Sequence, residues 1–140
     1  AFDHALDLPF ACVVADGMGG HNDGEQASLL VARSLVRRLP VGESVVEAIL
    51  KLVRAGRPES TDLDEVRQRV AWGPGPRASQ ALMLVTRARA LVEGRLAPSI
   101  DDVIAMAEPV LKHRMALTFA ARADGETVGG VIGKLASRIG

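Results

Sequence analysis

Trp72-Gly73-Pro74-Gly75-Pro76-Arg77-Ala78-Ser79-Gln80-Ala81-Leu82 is the stretch that decides the fold. Alternating glycine and proline cannot continue a helix, because proline lacks an N–H and glycine loses the most backbone freedom on ordering. Pro76 can still open one, since the first helical N–H has no intrahelical partner in any case. The segment predicts a break and then a helix start, with Arg77 in the first turn. Ala78, Ala81, Leu82, Val85, Ala88 and Val92 recur at spacings of three and four, which predicts a helix to Glu93 with Gly94 as its stop. Trp72 is expected to pack beneath that helix.

On the N-terminal side, Val45, Val46, Ile49, Leu52 and Val53 form another apolar face, stopped by Gly56 and Pro58. The polar run 57–62 predicts a loop, followed by a short helix from Asp62 to Val70. Ala27, Leu30, Val31 and Leu35 predict a helix over 25–38 that Pro40 interrupts. Before it, the apolar, β-branched residues 8–15 predict a buried strand, and the run Asp16-Gly17-Met18-Gly19-Gly20-His21-Asn22-Asp23-Gly24 a tight loop. A single strand needs partners for its backbone groups, so this one is expected to be poorly supported.

On the C-terminal side, Ser99 with Asp102 reads as a capping box opening a helix that buries Ile100, Val103, Ile104 and Ala107. Pro109 is expected to begin a further turn with Val110 and Leu111, ended by His113 and Arg114, which suit a helix C-terminus. Thr127 can cap a last helix bearing Val128, Val131, Ile132 and Leu135. Gly129 and Gly130 cost that helix about 1 kcal/mol each, so it is expected to fray. The fold class is mainly α: a small helical bundle over 39–140, preceded over 1–38 by one short strand, a glycine loop and a helix.

Composition bounds the function. The chain has 140 residues, 48% of them apolar and 24% charged, which suits one globular domain. Seventeen basic against seventeen acidic residues leave no net charge, so no nucleic-acid or anionic-membrane partner is expected. No apolar run reaches the roughly 18 residues that would span a membrane, and a cytoplasmic location fits. Cys12 reads as a buried thiol, and the start at Ala1 without methionine fits a fragment.

The run Cys12-Val13-Val14-Ala15-Asp16-Gly17-Met18-Gly19-Gly20-His21, with Gly24-Glu25 and Ala27-Ser28, resembles the metal-dependent protein serine/threonine phosphatases of the PPM, or type 2C, family over residues 8–34. That resemblance implies Asp16 and the Gly17 carbonyl as ligands of a Mg or Mn pair that activates water. Hard divalent cations favour such oxygen donors. The family's other aspartates and its phosphate-binding arginine have no counterpart here, so the site is expected to be partial.

From about residue 35 to 140 the chain resembles the C-terminal lid of MoxR-type AAA+ ATPases. The residues that carry this are Leu39-Pro40-Val41 with Val45 to Arg54, the segment Trp72 to Leu82, and Val110-Leu111-Lys112-His113-Arg114-Met115. The resemblance implies a helical lid in which Arg77 is the sensor 2 residue that meets the γ-phosphate of ATP bound with Mg. A fixed charge with a fork of donors suits that task. No Gly-x-x-x-x-Gly-Lys-Ser/Thr loop is present, so tight ATP binding and catalysis by the chain alone are not expected. The reading is an incomplete ATPase lid fused to a phosphatase motif. The alternatives are a phosphatase fragment and a noncatalytic helical interaction module. Its partner would be an AAA+ core subdomain, or a second copy meeting the apolar face left exposed.

Overall fold

A computed structural model describes Leu30 and residues 33–140. The predicted strand over 8–15, the glycine loop with Asp16, Gly17 and His21, and most of the helix over 25–38 lie outside the described residues; 33–38 are helical. Beyond them the chain forms α1 (Glu43–Ala55), α2 (Asp64–Arg69), β1 (Val70–Trp72), α3 (Pro76–Val92), α4 (Ile100–Leu111), a 3-10 turn (Lys112–Arg114), β2 (Ala116–Leu117), α5 (Phe119–Ala123) and α6 (Val128–Ala136). This is the mainly helical bundle that the periodicities predict.

The core follows from the apolar faces. α1 buries Val45, Ala48, Ile49, Leu52 and Val53, α4 buries Val103, Ala107, Val110 and Leu111, and α6 buries Val131, Ile132, Leu135 and Ala136. α4 is central, packing on α3, α6 and α1. The buried face of α3 is Ala78, Leu82, Thr86 and Ala90, rotated from the predicted one. Small residues let α4 approach closely, and the Thr86 hydroxyl satisfies itself by donating to the Leu82 carbonyl at 2.9 Å. Val92, predicted inside, is 88% exposed at the helix end. Gly94 takes the left-handed φ of 76° that a helix stop favours.

Three further expectations are corrected. Pro109 does not start a new turn but lies inside α4. The carbonyl it leaves without a partner, four residues back, belongs to exposed Ala105, where solvent can take over. The last helix is packed through four buried side chains, with the Thr127 hydroxyl accepting from the Gly130 N–H at 3.0 Å. Trp72 does not pack beneath the bundle; it is 54% exposed.

Trp72 ends a two-stranded antiparallel ladder that sequence periodicity does not reveal. Val70 pairs with Leu117 and Trp72 with Ala116, with an irregularity between them. The odd position puts Val70 inside and Ala71 and Trp72 outside. Charges close the edge nearby: Lys134 pairs with Glu65 at 2.6 Å, and Arg69 with Glu126. Hydrogen bonding to Lys134 lowers the Glu65 pKa, and the bond from Glu65 raises that of Lys134.

Candidate functional site

The Gly73–Pro76 turn delivers Arg77 to one end of the bundle. Pro74 is fully buried. Gly73 lies against the end of α1 so closely that a Cβ on it would stand 2.7 Å from the Arg57 Cα and closer still to the Gly56 carbonyl oxygen. Backbone cannot yield to such an atom, so only glycine fits. Arg57 then reaches across, and its Nε–H donates to the Pro74 carbonyl at 2.6 Å. Met115 completes the junction, with its methyl group near Gly56.

α3 starts as predicted, with Gly75 as N-cap and Pro76 in the first turn. No side chain caps this end, and its first turn contains no acidic residue. Arg77 is exposed, and among the described residues it makes no hydrogen bond or ion pair. A helix N-terminus already carries partial positive charge, so a cation there is locally unfavourable and an anion would relieve it. This end can therefore offer a fixed charge together with an uncapped helix start. Arg57, which sequence reading overlooked, stands beside the same turn; it lies 17 positions from Pro74, and no short-range pattern signals their contact.

The other candidates sit elsewhere. Arg114 caps α4 as expected, donating to the Val110 carbonyl at 2.5 Å, and its neighbour His113 is in contact with it. Asp16 and Gly17 fall outside the described residues. Among the described residues no three His, Cys, Asp or Glu side chains gather as a metal site would require. None of the described helices is long and apolar enough to cross a membrane.

At the opposite end of α3 lies the most buried charge. The Asp102 side chain accepts from Arg95 at 2.6 and 2.7 Å and from the Ser99 N–H at 2.8 Å, and Arg89 approaches it at 3.1 Å. The Arg95 bonds hold its carboxyl at a pKa of about 2, against the opposing effect of burial and with help from the Ser99 bonds. The expected capping box is thus part of a larger clasp joining the ends of α3 and α4. The Asp102 carboxylate is committed to Arg95 and Ser99 and buried between the helix ends, so it is no candidate for catalysis.

The family model described as the AAA lid domain matches residues 64–134. Chaperone MoxR1 of Mycobacterium tuberculosis is 39% identical over 85 residues, an alignment covering 60% of this chain and 22% of that protein. A crystal structure of an ATPase candidate from Cytophaga hutchinsonii superposes with a TM-score of 0.75 at 25% identity, over 83% of this chain and 35% of that one. The present chain therefore spans about a fifth of the curated relative's length and about a third of the solved chain's. The match from the start of α2 into α6 covers half of the sequence, and this chain belongs to the AAA lid domain family.

Proposed function

We propose that the chain is the lid of a MoxR-type AAA+ ATPase and that Arg77 is its nucleotide-facing residue, contacting the γ-phosphate of ATP. The observation that carries this is the state of Arg77: it is exposed, without an ion-pair partner among the described residues, and mounted on an uncapped helix start by a turn that admits no side chain at Gly73. Phosphoryl transfer needs such a charge placed in advance. The phosphate cradle and the Mg ligands would come from a large AAA+ subdomain, the partner class this reading implies. Catalysis by the lid alone is not part of the proposal.

Residues 1–38 as a phosphatase-type segment, with Asp16 and Gly17 toward Mg or Mn, gain no support from the matches above, all of which concern the ATPase side. A noncatalytic module that self-associates retains one favouring observation: Trp72 and Phe119 are 54% and 83% exposed. Contiguous exposed apolar surface is what marks a contact site, and these two side chains stand on adjoining segments of the chain, at the end of β1 and just after β2.

Trp72 is the chain's single tryptophan and lies five residues before Arg77, so its emission reports on this turn. Titration of the 140-residue chain with MgATP should change that emission with a dissociation constant on the order of 1 mM, the strength of a few exposed ionic contacts. Arg77→Ala should abolish the change. Equal responses from the two proteins would refute the assignment.

A further inference from the structure

A turn built from two glycines and two prolines is poor in backbone donors, and the structure replaces the missing one from the loop that follows α1. Pro76 has no N–H to offer the carbonyl that precedes it by two residues. The Pro74 carbonyl instead receives the Arg57 Nε–H at 2.6 Å. Pro74 itself is buried, and the Gly73 backbone rests on Gly56 and Arg57. Three contacts thus join the C-terminal end of α1 to the start of α3. Of these, only the Arg57 bond is directional, because packing of proline and glycine fixes distance but not rotation.

We propose that Arg57 is the positioning residue for Arg77: its guanidinium latches the Gly73–Pro76 turn to the end of α1 and so fixes where the first turn of α3 presents Arg77. Its functional consequence rests on the reading of Arg77 as the phosphate-facing residue; the latch itself does not. A guanidinium suits the role because one donor is committed to the carbonyl while the charge stays partly solvated, avoiding the cost of a buried unpaired cation. A carbonyl bonded by a charged donor also holds more strongly than one bonded by a neutral group.

The test uses the 140-residue chain, with Arg57→Ala and the milder Arg57→Gln. The Ala78 N–H donates to the Gly75 carbonyl at 2.9 Å, so its hydrogen exchange reports on the turn. Losing the latch should speed exchange at Ala78 about tenfold in Arg57→Ala and less in Arg57→Gln, leaving the amides of Leu52 and Leu111 unchanged. Unchanged exchange at Ala78, or an equal rise at all three amides, overturns the proposal. In a parallel titration with MgATP followed by Trp72 emission, Arg57→Ala should weaken binding about threefold while keeping a saturable response, because Arg77 is still present but less well placed. Loss of the MgATP response in Arg57→Ala as complete as in Arg77→Ala would mean that Arg57 meets phosphate itself, which also overturns it. If Arg77→Ala alone leaves MgATP binding unaltered, the proposed function falls, and hydrogen exchange at Ala78 decides the latch separately.

Discussion

Replacing Asp102 by asparagine should remove about 2 kcal/mol of stability at neutral pH and almost none near pH 2. The carboxylate is 1% exposed and accepts bonds from Arg95 and Ser99, with Arg89 in ion-pair range at 3.1 Å. Its pKa falls from the ordinary 3.8 to about 2 because Arg95 bonds to the charged form. At about 1.4 kcal/mol per pH unit, that displacement corresponds to about 2 kcal/mol. The sign follows from a folded pKa that lies below the unfolded one. The contribution is complete above 3.8 and disappears as pH falls through about 2. The arginine partners are more than a third exposed, so the ion pairs themselves add little beyond this. Urea unfolding of the parent and Asp102→Asn at pH 7, 4 and 2.5 measures the gap. A gap below about 0.5 kcal/mol at pH 7, or one that does not shrink on acidification, would refute the reasoning.

Two other substitutions probe the junction and the last helix. Gly73→Ala sets a methyl group against the backbone of Gly56 and Arg57, which cannot move aside as a side chain would. It should cost about 3 kcal/mol in urea unfolding, and a loss under 1 kcal/mol would mean that the turn is not seated as described. Gly133→Ala places a methyl group in open space on the exposed side of α6. It should raise stability by about 0.5 to 1 kcal/mol and the thermal midpoint with it, and a destabilised protein would contradict the packing of α6.

Helices were legible in this sequence where local rules act alone. Pro76 and Gly94 bracket α3, Ser99 and Thr127 open α4 and α6, and the apolar spacing of α1 names its buried face almost completely. What escaped notice depends on distant partners. β1 and β2 have three and two residues, too few for alternation to register, and they pair across more than forty positions. The reading that packs Trp72 beneath the bundle fails because the ladder's register turns it outward. The face of α3 was misjudged because Thr86 reads as polar although it satisfies its own hydroxyl. Pro109 read as a boundary although the carbonyl it orphans faces solvent. Of the site, Arg77 and its helix start could be read locally, whereas Arg57 could not, since only the folded chain brings it to Pro74.

The central claim is that the start of α3 meets a nucleotide's terminal phosphate through Arg77. Amide shifts of the isotopically labelled chain, recorded with MgATP and then with MgADP, test it most directly. The account predicts perturbations confined to Gly75 through Ser79, larger with MgATP than with MgADP and absent in Arg77→Ala. Perturbations lying elsewhere, or identical with and without Arg77, would contradict it.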